Sequence, residues 1–387
     1  MENAIITAIE KTLERYSTFP EMQALLSETA LSSKVNVLAI GKSAYVMAKA
    51  DTDLLQSKHI AYDGYLLTKY GHAPETMPGF TICEAGHPLP DANSLKYSKE
   101  IIAWLAELPP NEDLIILLSG GGSALFEIPH EGNKLEDIIE LNRRLLDSGL
   151  SIEEMNLARS EMSQVKAGGA LELVPCKRIY CYALSDVKNN DPRVIASAPF
   201  FNSQFRQICT KLYMYGNNIR QQQVIYHIVG DNLSFMNVLA DSFSQPVTVH
   251  PAFVSEPASD FVSQLAELAK DRQQPGIHIF GGETSLQVKG SGKGGRCTHI
   301  ALDFAIRMAG YKDISLVAYA TDGSDYLPGI AGAAVDGDTY HRMQDKGIDA
   351  KASLRNYDSF TALQAVGAII PAFPQHINVN DVFILSL

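Results

Sequence analysis

Residues 114–125, LIILLSGGGSAL, constrain this chain more than any other stretch. Residues 114–118 are apolar without a break, which predicts a strand buried on both faces. Ser119, Gly120, Gly121, Gly122 and Ser123 follow at once, and then a run of small residues that opens a helix. Three successive glycines leave backbone N–H groups uncovered and permit positive φ. A strand, a glycine turn and a helix start together form a cradle for a phosphate or a carboxylate, because amides and helix dipole converge on one point. The loop is not a Walker A, which would close on Gly-Lys-Ser/Thr. It is not a dinucleotide fingerprint either, since the GxGxxG spacing is missing. A tight turn whose glycines serve only packing is the plainer alternative.

The rest of the chain puts that loop in an α/β context. Residues 3–31 read as one or two helices. Strands are predicted at 35–40, 62–68, 81–84, 114–118 and 178–184, with helices between them at 44–50, 95–108, 135–147 and 151–164. This alternation implies βαβ units and a parallel sheet. Ligands of such sheets bind at the carboxyl ends of the strands, where Lys42, Ser119 to Ser123 and Ser185-Asp186 all fall. The chain, at 387 residues, is too long for one ordinary core. Residues 201–223 are polar and rich in Gln and Asn, so the boundary is placed there, giving domains 1–215 and 216–387. The second domain carries predicted strands at 224–229, 277–280 and 316–320 and helices at 260–271 and 298–308. Its glycine-rich loops are GGET (281–284), SGKGGR (291–296) and TDGSD (321–325).

Bulk properties exclude some classes. A net charge of −12 argues against a general nucleic-acid binder, though not against a local basic pocket. No run of about 18 apolar residues could span a bilayer, and the N-terminal residues lack the apolar core of a signal peptide. The five cysteines form no CxxC pair; reduced thiols in a cytoplasm fit best, and no zinc site is expected.

Several residues suit anion or phosphoryl chemistry. Lys42 sits in the first βα turn. Arg296 follows two glycines at a helix start, where its planar fork could take an anion bidentately. Asp186 ends a strand and could hold Mg²⁺ or accept the proton of an attacking hydroxyl; a turn cap is the alternative. Asp322 and Asp325 form a second metal candidate, and Glu283 is similarly placed after two glycines. Asn156, Arg159 and Lys166 lie on one predicted helix and its exit, a possible local anion pocket in an acidic protein. His72 and His87 stand beside glycines in turns, where a structural role and a substrate contact are both open readings. His299 is read as a helix-face histidine.

In order along the chain stand AIGKSAYVMAKA (39–50), TKYGHA (68–73), EAGHPLPDANS (84–94), LLSGGGSAL (117–125), EMNLARSEMSQVKAGGAL (154–171), ALSDVKNNDPRVIASAPF (183–200), GGETS (281–285), GKGGR (292–296) and TDGSD (321–325). With these motifs the chain resembles the MOFRL-type glycerate 2-kinases, a family also labelled hydroxypyruvate reductase, over nearly its whole length. The resemblance implies a Rossmann-like parallel-sheet N-terminal domain, a smaller α/β C-terminal MOFRL-type domain and an active site in the cleft between them. It implies ATP, Mg²⁺ and phosphoryl transfer to the 2-hydroxyl of D-glycerate, giving 2-phosphoglycerate. Lys42, Arg296 and Asp186 become the expected catalytic residues. Ser119, Gly120, Gly121, Gly122, Ser123, Asn156, Arg159, Lys166 and Glu283 become the substrate or phosphate contacts, and Asp186, Asp322 and Asp325 the metal ligands. The expected partners are a small hydroxy acid and ATP, without nucleic acid or membrane; a homo-oligomer is left open.

The chain departs from the family at Cys297, Thr298 and His299, where the family has Asn-Gln-Glu. It departs again at Lys188 to Asn190, at Ala198, at Ser160-Glu161 and at YLPGIAGA (326–333). These changes set a divergent member, acting on another hydroxy acid or catalytically disabled, beside the kinase. An NAD(P)-dependent hydroxypyruvate reductase is the other alternative, and the missing GxGxxG argues against it.

Overall fold

The computed structural model describes residues 2–147, 152–201, 213–215, 218–220, 223–271, 273–374 and 377–387. The chain divides into two compact units, Thr18–Asp231 and Met1–Ser17 with Asn232–Leu387.

The Thr18–Asp231 unit is built on strands β1 (Lys34–Ile40), β2 (Ala61–Lys69), β3 (Phe80–Ala85), β4 (Asp113–Leu118) and β5 (Arg178–Leu184). A short hairpin of β6 (Tyr213–Tyr215) and β7 (Asn218–Arg220) precedes the sixth strand of the sheet, β8 (Gln223–Gly230). The sheet order is β3-β2-β1-β4-β5-β8 and every pairing is parallel. Strand order reverses between β1 and β4, so a crevice opens beyond the carboxyl ends of those two strands. Both are central, and all of β4 is buried, as the unbroken apolar run requires. At the amino end of β4, Asp113 is pinned by a two-pronged pair with Arg178 of β5, at 2.6 and 2.8 Å.

Helix α1 (Glu2–Tyr16) belongs to the other unit, and α2 (Pro20–Glu28) to this one. Helix α3 (Ala44–Ser57) follows β1 and buries Ala44, Met47, Ala48 and Ala50; small residues let it lie close to the sheet. Helix α4 (Ala92–Ala106) starts on a capping box between Asp91 and Ser94. After β4 come α5 (Gly122–Leu125), α6 (Leu135–Asp147), α7 (Ile152–Glu161) and α8 (Gly169–Glu172).

The second unit holds α9 (Asn232–Ala240), β9 (Val247–Val249), α10 (Ala258–Asp271), β10 (Ile277–Gly282), α11 (Arg296–Arg307), β11 (Ser315–Ala320) and β12 (Ile330–Asp336). Three short helices, α12 (Thr339–Asp345), α13 (Ala350–Arg355) and α14 (Ser359–Ala365), precede β13 (Ile369–Pro371) and β14 (Asp381–Ser386). The sheet order is β13-β12-β11-β14-β10-β9. Only β9 and β10 run parallel; the other pairings are antiparallel. Helices α10 and α11 pack through Phe261, Leu265, Ile300 and Phe304 into its core.

The expected division at 215/216 differs from these units at both ends. Strand β8 completes the first sheet beside β5, which carries that unit to Asp231. Residues 1–17 join the second unit, where Tyr16 bonds Ser234 of α9 and stacks edge-on against Phe235. Most of the polar stretch 201–223, and Cys209 within it, lies outside the described residues. Among the described residues, Cys83, Cys176, Cys181 and Cys297 are buried free thiols, and no helix is long and apolar enough to cross a membrane.

Candidate active site

At the sheet's reversal point the β1 and β4 turns lock together. Ser119 N donates to the Ile40 carbonyl at 2.9 Å, and Lys42 N to the Gly120 carbonyl at 2.8 Å. The Ser119 hydroxyl accepts from Ser43 N at 3.0 Å. Ser119, expected as a phosphate contact, is wholly buried and joins the two turns. The carbonyl of Lys42 pairs with His72 Nδ1 at 3.0 Å, which gives that turn histidine a structural role.

The glycines divide by function. Gly121 has φ +86°, and a Cβ there would stand 3.1 Å from both Lys42 Cγ and His87 Cδ2. The amides of Gly120 and Gly121 donate no hydrogen bond among the described residues. Gly122 is needed for packing instead, because a Cβ would come within 2.8 Å of the Ala196 methyl. Helix α5 is a single turn of four residues, so its dipole adds little. Any cradle here rests on the uncovered amides.

Beside the loop lies a cavity of about 220 Å³, lined in part by His87, Gly121, Ser123, Asn156, Arg159 and Asp186. The structure thus gathers five expected residues from β4–α5, α7 and the end of β5. Arg159 donates from Nε to Asn142 at 2.8 Å and from Nη1 to Asn156 Oδ1 at 3.3 Å. Burial lowers its pKa from the usual value. Ser197, which lies in the 183–200 motif without being an expected site residue, bonds both Ser123 at 2.7 Å and Asn156 at 3.2 Å.

Lys166, expected with Asn156 and Arg159, stands apart from them. Its ammonium does not line this cavity; it is buried in an ion pair with Glu127. Burial pushes the Lys166 pKa down to about 7.

In the other unit, Arg296 opens α11 and is held by two carboxylates. Nη1 pairs with Glu283, and Nε donates to Asp381 at 3.1 Å. Burial opposes its charge, and Asp381 and Glu283 outweigh burial, so the Arg296 pKa is raised. Glu283, expected as an anion contact, is here the arginine's counterion. Asp381 is buried and its pKa is raised to about 7 by that burial, which Arg296 only partly offsets; Asp325 and Glu283 add to the rise. No motif marks Asp381 in the sequence. It is an acid at a strand start, 85 residues from its partner.

Asp325, expected as a metal ligand, caps a helix. One oxygen accepts from Cys297 N at 2.9 Å and the other from Thr298 N at 2.8 Å. Gly295 makes room for it, since a Cβ would lie 2.3 Å from Asp325 Oδ1. The second glycine-rich turn therefore seats an internal carboxylate. Asp322 accepts from Ser324 N at 3.0 Å in a local turn. Cys297 is buried, and burial raises its thiol pKa far above the usual value. His299 stacks on Tyr357, with ring centres 5.3 Å apart, and burial lowers its pKa. Among the described residues no three His, Cys, Asp or Glu side chains are placed to hold a metal.

Comparison with known proteins supplies the family. Residues 276–381 match the MOFRL family, and residues 3–228 match a domain of unknown function, DUF4147. The D-glycerate 2-kinase of Thermotoga maritima is 34% identical over 99% of this chain and 98% of its own. This chain belongs to the MOFRL-type glycerate 2-kinase family. Within it, a protein of Agrobacterium vitis with the provisional name hydroxypyruvate reductase is 30% identical, over 89% of this chain and 97% of its own. The crystal structure of a glycerate kinase from Thermotoga maritima superposes with a TM-score of 0.84 at 32% identity, covering 100% of this chain and 99% of that one.

Proposed function

We propose that the chain is an ATP-dependent kinase that phosphorylates the 2-hydroxyl of D-glycerate to give 2-phosphoglycerate. One observation carries this reading. At the reversal point of a parallel sheet, a glycine loop whose Gly120 and Gly121 amides are uncovered lies beside Lys42, and its Gly121 lines a small cavity together with Arg159, Asn156 and Asp186. The full-length likeness to a protein named D-glycerate 2-kinase supports it.

Phosphoryl transfer needs charge neutralisation, alignment and a group to orient the attacking hydroxyl. Lys42 and the amides of Gly120 and Gly121 supply positive charge and donors to phosphate oxygens. Arg296, fixed by Glu283 and Asp381, is the second cation. Asp186 takes the hydroxyl proton. Mg²⁺ commonly uses one or two protein carboxylates together with substrate phosphates. With Asp325 engaged by helix amides, the donor set fits that sparse mode, and Asp186, which lines the cavity, is the residue that would hold it. When bound, the ion neutralises phosphate charge. We place the enzyme in the cytoplasm on its free thiols.

The reductase alternative has less support, since β1 runs into Gly41-Lys42-Ser43 without a GxGxxG turn. A coupled assay decides. ADP release with D-glycerate is the expected result; NADH oxidation with hydroxypyruvate and no ADP release would reverse the assignment.

A further inference from the structure

We propose that the cavity beside the glycine loop is the seat of the acceptor's carboxylate, taken by the Arg159 guanidinium and the Asn156 side-chain amide. The identity of the acid rests on the kinase reading above; the presence of an organic-anion site rests on the geometry.

Arg159 is the first observation. It is partly buried, it lines the cavity, and its hydrogen-bond partners are the neutral amides of Asn142 and Asn156. Among the described residues it forms no ion pair. A guanidinium withdrawn from water and given only neutral partners leaves its charge for a ligand to match.

Asn156 is the second and independent one. Its Oδ1 accepts from both Arg159 and Ser197, which fixes the orientation of the amide. The Nδ2 that remains is buried and has no partner. Asn156 lines the cavity, and buried donors in native proteins are satisfied, so its unpartnered one calls for an acceptor. Guanidinium and amide N–H together suit the two oxygens of a carboxylate.

Ser197 positions the amide. It stands at φ +59°, between Ala196 at +50° and Ala198 at +56°, three successive non-glycine residues in the left-handed region. Such a run persists only where its surroundings over-determine it. Here the Ser197 and Ala198 carbonyls accept from Ala167 N at 3.0 Å and Gly168 N at 2.7 Å. Size points to a small ligand. A cavity of about 220 Å³ is below the roughly 300–1,000 Å³ of drug-sized sites, which suits a three-carbon acid.

The test is calorimetric titration of the full chain with D-glycerate, in the presence of Mg²⁺ and a non-hydrolysable ATP analogue, with glycerol as the uncharged control. Arg159→Gln should weaken D-glycerate binding roughly 10- to 150-fold, the loss of a charge-assisted contact. Asn156→Asp replaces the donor with a negative charge and should weaken it to a similar degree. Affinity for the analogue should not change. If Arg159→Gln fails to fold, Asn156→Asp decides alone. Wild-type affinity for D-glycerate in the folded variants would overturn the proposal. So would equal loss of acid and analogue, or wild-type binding of glycerol as tight as that of D-glycerate. If the acid binds as described but no ADP forms, the kinase reading fails and the anion site stands. If ADP forms and both variants keep the wild-type KM for the acid, the site fails and the kinase reading stands.

Discussion

Replacing Asp325 by alanine separates a structural carboxylate from a catalytic one. The side chain is buried, and its two oxygens take the amides of Cys297 and Thr298 in the first turn of α11. A hydrogen bond to a charged acceptor contributes about 1.5–3 kcal/mol. Loss of a helix cap costs about 0.5–2 kcal/mol. Two bonds to one carboxylate are not additive, and burial, which raises the Asp325 pKa, offsets part of the gain. We therefore expect Asp325→Ala to destabilise the protein by about 2–4 kcal/mol, or roughly 4–16 °C in Tm for a unit of this size. Asp325→Asn, which keeps one acceptor, should lose less. Thermal unfolding followed by circular dichroism, alongside kcat at several Mg²⁺ concentrations, reads both properties. A variant that melts like the wild type but regains activity at high Mg²⁺ would refute the cap and restore Asp325 as a metal ligand.

Gly121→Ala places a methyl 3.1 Å from Lys42 Cγ at φ +86°; it should cost about 1–2 kcal/mol and weaken ATP binding in a folded protein, as a nucleotide titration would show. Lys42→Ala and Arg296→Ala should each slow phosphoryl transfer by roughly two to four powers of ten. Arg296→Ala should also lower Tm, because it leaves Asp381 and Glu283 without their cation, and Arg296→Lys should rescue only in part. Asp381 has a folded-state pKa raised to about 7, against about 3.9 unfolded. Its folded form holds a proton that the unfolded chain releases, so its stabilisation is complete below about pH 4 and is lost as pH rises toward 7. Urea unfolding should therefore show the wild type losing stability relative to Asp381→Asn across that window; a constant difference would contradict the shift.

The parallel sheet was legible because its strands are unbroken apolar runs, above all in β1 and β4, where both faces are covered. The glycine loop was legible for the same reason: a buried strand must end in a turn, and three glycines allow few others. The second sheet was harder to read. Strand β12 (IAGAAVD) is made of small residues that look like a loop. They are small because the strands approach closely: a Cβ on Gly332 would fall 1.9 Å from the Ala318 carbonyl oxygen. Strand β14 slots between β10 and β11 from the far end of the chain, a pairing that local pattern does not encode.

At the site, charge type was legible but allegiance was not. Arg159 and Lys166 look alike in the sequence, yet one lines a cavity and the other is buried against Glu127. Asp325 has the spacing of a metal ligand, and the helix amides it caps, with the empty Cβ position of Gly295, show where its carboxylate goes. Asp381 gave no signal and the motif around Ser197 did not reveal its role, because what they do depends on partners distant in the chain.

The most direct test of the central claim is phosphorus NMR of the product formed from ATP, Mg²⁺ and D-glycerate by the purified full chain. The account predicts a phosphomonoester at the 2-position, with ADP formed in equal amount and both dependent on Lys42. A 3-phosphoglycerate product, or intact ATP beside unchanged D-glycerate while NADH is consumed by hydroxypyruvate, would contradict it.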